Sequence, residues 1–171
     1  MHEKSLNKVY LKTRLLLKEF ENRINKMERV CFSMSSNQDI SKSVIFPKGA
    51  KVLNDHFIGA AYLELLNPRE NTLNCPIGNV TFEPRARNNW HKHPGGQILL
   101  VTGGKGYYQE EGKPVQVLSE GDVVQILPNV KHWHGATPDS WFTHIAISTN
   151  VQKGDTEWLE PVTDEKYNIL K

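Results

Sequence analysis

With 171 residues, a formal charge of +2, 38% hydrophobic and 23% charged side chains, the chain has an ordinary globular make-up and room for one domain with a substantial core plus an appendage. So small a net charge, with no basic cluster beside exposed aromatic residues, excludes a nucleic-acid surface as a first expectation. Two cysteines, Cys31 and Cys75, lie far apart without CxxC spacing and exclude a disulfide framework or a thiolate zinc site, and no apolar run approaches the roughly 18 residues of a membrane span; the expectation is a soluble, non-exported protein of the reducing cytoplasm with no membrane partner.

Residues 1–31 repeat apolar side chains at Leu6, Tyr10, Leu17, Phe20, Ile24 and Met27, with Thr13 filling the gap in an a/d series. The pattern predicts one amphipathic helix. Eight Lys and Arg stand there against four acids, a net of +4, so the rest of the chain carries −2 of the total +2. That asymmetry marks an appendage: a helix packed on the domain or on a second subunit, a surface for a partner or membrane, or a segment ahead of a later start at Met27 or Met34. The Ser-rich stretch from Ser33 to Ser43 reads as a linker. The predicted organisation is therefore helix and linker over 1–43 and a folded domain over 44–171.

Beyond the linker the period becomes extended. Val44 to Phe46, Gly59 to Leu66 and Ile77 to Phe82 carry strand signals. Gln97 to Thr102 and Gly106 to Gln109 flank Gly103-Gly104-Lys105, which predicts a hairpin. Val115 to Leu118, Val123 to Leu127 and Trp141 to Ser148 follow, the last with His144, Ala146 and Ser148 on one face. Short strands at this spacing predict an all-β sandwich or barrel. Thr163 to Leu170 is expected to form a short helix capped by Thr163.

Five of the seven histidines fall between His91 and His144. His91 and His93, spaced i, i+2, point to one face of an extended strand, where both imidazoles can reach one point. Pro94-Gly95-Gly96 next to them argues against a helix, and Gln97 is a candidate oxygen ligand. His132 and His134 repeat the spacing, so two such strands side by side would turn up to four imidazoles inward. Imidazole suits Mn, Fe, Ni, Cu and Zn alike. A metal-free histidine cluster is the alternative, disfavoured because its members repel on protonation. His2 and His56 are isolated and are expected to be surface or satisfied core residues.

The segment from His91 to Gly104 resembles the first cupin motif and the segment from Gly121 to His132 the second, a similarity spanning about residues 75–150 as motif and 45–162 as domain. Asn88-Asn89-Trp90-His91, Gln97, His132-Trp133-His134-Gly135-Ala136 and Thr143-His144-Ile145-Ala146 resemble the small single-domain cupins related to manganese-dependent hydroxynitrile lyases, which also occur with carboxymuconolactone-decarboxylase-like domains. The resemblance implies a cupin double-stranded β-helix, or jelly-roll barrel, with the N-terminal amphipathic helix and short C-terminal helix as additions. It implies metal ligands His91, His93, Gln97 and His132, a divalent ion with Mn(II) first and Fe(II), Zn(II) or Ni(II) as alternatives, His144 as base with His134 as a second catalytic candidate, and a homodimer. Arg85 stands where the first motif usually has glycine, so either the turn differs there or Arg85 faces the pocket. Asn129 replaces a glycine of the second, a mild change because Asn tolerates the left-handed conformation. Gln97 replaces an acidic ligand. A neutral amide leaves a divalent ion's charge uncompensated, which favours an anionic or carbonyl-bearing small molecule and disfavours a ferric state.

The expected function is therefore Lewis-acid lyase or isomerase chemistry on a small hydroxy- or carbonyl-bearing substrate. A non-haem oxygenase and a non-catalytic small-ligand-binding cupin are the alternatives. Trp90 and Trp141 are candidate pocket walls, Trp133 is expected in the sheet-to-sheet core, and Arg85 or Arg87 is a candidate for a substrate carboxylate.

Overall fold

Alternating burial along Val123 to Ile126, with Val124 and Ile126 buried and Val123 exposed, is what a strand with one face on a core requires. The computed structural model describes residues 45–69 and 73–168. The helix expected over 1–31, its linker and Leu170 lie outside them. The described residues fall in one unit built almost wholly from strands: β1 (Ala50–Lys51), β2 (Phe57–Ile58), β3 (Ala61–Asn67), β4 (Ile77–Phe82), β5 (Arg87–Asn88), β6 (His91–Lys92), β7 (Gln97–Glu110), β8 (Gln116–Ser119), β9 (Val123–Ile126), β10 (His132–Ala136), β11 (Phe142–Ser148) and β12 (Glu157–Trp158), then the helix α1 (Asp164–Asn168). No helix among the described residues is long and apolar enough to cross a membrane.

All pairings are antiparallel. One sheet runs β1-β3-β4-β11-β7-β9; the other joins β12-β6-β10-β5-β2, with β7 on β10 and β8 on β7. Strand β7 belongs to both. The hairpin expected at Gly103-Gly104-Lys105 is therefore not formed, and a continuous 14-residue strand takes its place. Gly104 has φ +72°, a Cβ on it would lie 1.9 Å from the Trp141 carbonyl oxygen, and the β7 to β11 register shifts at Thr143/His144. These glycines bend one strand from sheet to sheet, a bulge rather than a turn. Of the strand expected over Val44 to Phe46, Val44 lies outside the described residues, Ile45 and Phe46 are bends, and the first strand among the described residues begins at Ala50.

Two apolar clusters lie on opposite faces of the second sheet. The first gathers Ala61, Phe82, Leu99, Val101, Tyr108, Ile126, Ala136 and Phe142. The second holds Trp90, Tyr107, Trp133, Val162 and Tyr167 beneath the C-terminal segment. Adjacent residues Tyr107 and Tyr108 go to different clusters, as the two-residue period demands. Trp133 thus packs under the C-terminal strap rather than between the sheets, opposite in phase to His132 and His134; truncation to Ala would cost about 3–5 kcal/mol.

The strap is pinned by Arg87, whose guanidinium donates to the Val162 carbonyl at 2.8 Å and pairs with Asp164 at 2.7 Å while lying over the Tyr167 ring. Arg87 is thereby a buried anchor, not a substrate clamp. Thr163 caps α1, its Oγ1 accepting the Lys166 N–H at 3.4 Å. Arg85 adopts φ +71° and Asn129 φ +62°, so both keep the left-handed turn a glycine would serve. Arg85 points outward to Asn168.

Candidate metal centre

Strands β6 and β10 pair with His132 directly across from His91. The short β6 then turns at Pro94-Gly95-Gly96, with Gly96 at φ +87°, and the chain re-enters the wall as β7 at Gln97. His91, His93 and His132 each offer a nitrogen, all within 4.8 Å of one another, and all three residues are buried. Ring centroids are 4.1 Å apart for His91 and His132, 5.0 Å for His91 and His93 and 5.4 Å for His93 and His132.

Second partners settle which nitrogen faces the centre. His91 Nδ1 donates to the Asn89 carbonyl and His132 Nδ1 to the Val130 carbonyl, both at 2.9 Å and both two residues back along the chain. A carbonyl only accepts, so Nδ1 bears the proton and Nε2 the lone pair. His93 Nδ1 lies 3.1 Å from Thr156 Oγ1. His93 Nε2, His132 Nε2 and Gln97 Oε1 are buried without a hydrogen-bond partner. Three imidazoles with oriented Nε2 atoms and an orphaned amide oxygen are a donor set that fits a divalent cation. The carboxylate across from His132 in register, Glu110, is taken up by Lys113 at 2.5 Å and Tyr108 at 3.2 Å.

Beyond the cluster lie His134 and His144. Their rings stand 4.8 Å apart at 84°, with His134 5.5 Å from His91. Phe82 and Phe142 enclose His144 at 5.9 Å and 5.0 Å. His134 Nδ1 and both His144 nitrogens are buried without partners. Burial pushes His144 down to about 3 and, with the like charges of His144, His91 and the other imidazoles, pushes His134 well below its usual value. Burial followed by the neighbouring His132 lowers His93 to about 4, opposed by Gln97, and burial lowers His132 to about 4 against the Val130 carbonyl and Glu110. His91 is driven far down by burial and then by His132 and His93. All five imidazoles are therefore neutral at physiological pH.

The outer wall comes from the strap. Trp158 pairs with His91 in register, packs 4.8 Å from its ring and stacks on His56 at 4.5 Å and 4°. His56, set aside on sequence as isolated, belongs to this wall. Trp158 and Thr156 are the other residues that sequence reasoning missed, and Asn88 was named only as part of the resemblance without a role, because their contacts join segments far apart in the chain that no local spacing encodes. Trp90 lies in the cluster under the strap and does not line this site.

A cupin domain model matches residues 78–144. A (R)-mandelonitrile lyase from Granulicella tundricola is 43% identical over 113 residues, 66% of this chain and 86% of that protein. The chain belongs to the cupin family. Its structure superimposes on a cupin-like protein from Thermotoga maritima at 53% identity with TM-score 0.72, covering 73% of this cupin and 95% of that chain. A cupin 2 conserved barrel domain protein from Rhodopseudomonas palustris shares the barrel at 14% identity with TM-score 0.56, over 71% and 81% of the two chains; that likeness is one of fold.

Proposed function

We propose that this cupin is a metal-dependent enzyme of lyase or isomerase type acting on a small hydroxy- or carbonyl-bearing molecule, with His91, His93, Gln97 and His132 as ligands and His144 as base. The observation that carries this reading is the set of buried, unpartnered atoms, Nε2 of His93 and His132, Oε1 of Gln97 and both nitrogens of His144, with the His134 ring linking the two groups at 5.5 Å from His91 and 4.8 Å from His144. A bound divalent ion, for which we take Mn(II) first, would supply Lewis-acid polarisation of a substrate oxygen. The four donors are all neutral, so the chain itself adds no negative charge and the set suits a substrate oxygen that is anionic or becomes so. Burial keeps His144 unprotonated and ready to accept a proton, and negative charge developing beside it raises its proton affinity during reaction. Phe82 and Phe142 keep water from the ring, which strengthens each polar contact made there. The similarity to the mandelonitrile lyase supports C–C cleavage of a 2-hydroxynitrile as the first activity to assay.

We take a homodimer as the assembly, since edge strands β8 and β9 expose Val117 and Val123, with Leu127 just beyond. The test of function is metal analysis of protein purified without chelators, followed by cleavage of (R)-mandelonitrile with Mn(II) and oxygen uptake with Fe(II). Stoichiometric metal, cleavage and no oxygen uptake are expected. Oxygen consumption with Fe(II) and no cleavage would replace this reading with an oxygenase.

A further inference from the structure

Asn88 touches His134 twice. Its Oδ1 accepts the His134 backbone N–H at 2.9 Å, and its Nδ2 lies 2.8 Å from His134 Nε2. A backbone N–H can only donate, so the amide oxygen must face it and the NH2 group is turned to the ring. Two donors cannot form one hydrogen bond, so His134 Nε2 is the acceptor and the single proton of this neutral ring sits on Nδ1. Both residues are buried on paired strands, Asn88 on β5 and His134 on β10, which leaves the amide no water with which to exchange roles. His134 Nδ1–H then has no acceptor among the described residues. An N–H shut away from water without an acceptor is destabilising, and the partner it lacks is one that a ligand can bring.

We propose that Asn88 is a positioning residue that locks His134 as the Nδ1–H tautomer, making it a fixed hydrogen-bond donor to the substrate's departing group while His144 alone carries the proton. This rests on the lyase reading above. In cleavage of a 2-hydroxynitrile, a His144 nitrogen takes the hydroxyl proton, the C–O bond becomes C=O, and the C–C bond breaks with its electron pair leaving on cyanide. Cyanide is received by the His134 Nδ1–H and takes its proton from the His144 imidazolium, which restores both rings. His134 gives no proton away, because losing its only ring proton would leave an imidazolate. The two histidines thus divide the work: one moves a proton, the other holds a charge.

The experiment is 15N NMR of the full chain loaded with Zn(II) and labelled at histidine nitrogens, with turnover of (R)-mandelonitrile measured alongside. The wild-type protein is expected to show a pyridine-type His134 Nε2 and a pyrrole-type Nδ1. Asn88→Asp keeps an acceptor for the backbone N–H but replaces the NH2 with a second acceptor, so Nε2 becomes pyrrole-type. With the donor turned away, kcat falls by about 100-fold and KM changes less than about 3-fold. Should Asn88→Asp fail to fold, Asn88→Ala serves, with mixed tautomers expected. A pyrrole-type Nε2 in the wild-type protein overturns the lock. Reversal of the ring with kcat unchanged overturns the donor role. Because the tautomer is read without turnover, wild-type protein with the expected ring but no cleavage would sink the lyase reading and the donor role while leaving the lock standing.

Discussion

The histidines of the barrel divide into two regions that the same fold treats differently. His91 and His132 turn Nδ1 back to a carbonyl two residues earlier in their own chain, so the backbone leading into each strand aims Nε2 at a common point. His134 is aimed by a side chain from a neighbouring strand, and His144 by ring packing alone. The first arrangement produces a convergent, oriented donor set; the second leaves three buried ring nitrogens without a partner among the described residues, beside Phe82 and Phe142. Backbone anchoring suits a group that must stay still, and packing suits one whose protonation must change during a reaction.

The sharpest way to break this comparison is to remove the proposed base and keep the proposed ligands. His144→Phe replaces a buried ring that has no hydrogen bond with an apolar ring beside Phe82 and Phe142. Cleavage activity is expected to fall by about 10²–10⁴-fold, metal content to stay stoichiometric, and Tm to hold or rise because two unsatisfied nitrogens are gone. Loss of metal in this variant would show that the two regions are one.

Acid tests both regions together. Their imidazoles are pushed down to about 4 at His93 and His132 and about 3 at His144, with His91 and His134 also lowered. The unfolded chain keeps histidines near about 6.5. Below that pH the unfolded state binds protons that the folded state refuses, so stability is full above about 6.5 and is lost as pH falls toward about 4. In chelator-treated protein, Tm is expected to drop by more than about 10 °C between about pH 7 and pH 5, and less steeply in His144→Phe. A Tm flat across that window would mean that these rings are open to solvent.

Much of this was legible in the chain. The i, i+2 histidine pairs and the change of period after the linker announced extended segments that bring His91, His93 and His132 together, with His93 just past β6 and His134 outside that cluster, and Asn129 kept the left-handed turn its replacement of glycine suggested. The glycine pair in β7 misled because bulge and hairpin use the same residues; only the bulged pairing with β11 separates them. Arg87 and Trp90 looked like pocket residues and became anchors under the strap, since which face a residue takes beside a turn depends on what later covers the sheet. His56 was invisible because its partner, Trp158, lies 102 positions on.

Gln97→Glu probes the charge of the proposed ligand cluster with little change of shape. A carboxylate offers the ion a formal charge that the amide withholds, so metal affinity should hold or rise while binding of an anionic probe such as azide weakens by about 10-fold, read by calorimetry. Unchanged azide affinity would remove charge as the reason for glutamine at this position.

The finest distinction lies within the proposed ligand cluster itself. His91 and His132 are held by carbonyls that no substitution can delete, whereas His93 depends on Thr156, a side chain from the loop that leads into β12. Thr156→Val keeps the volume and removes the oxygen, leaving the His93 ring free to rotate and to place its proton on either nitrogen. Loss of such an outer partner weakens metal binding by about 10–100-fold, and the low end is expected here because two of the three imidazoles stay fixed. The fold should be unaffected, since Thr156 is only half-buried. Competition with a chelator measures the change, and Thr156→Ser, which restores a hydroxyl at the same place, should recover most of it. If valine and serine bind metal equally, His93 is oriented by packing, as His144 is, and the division between the two regions falls between His93 and its neighbours instead.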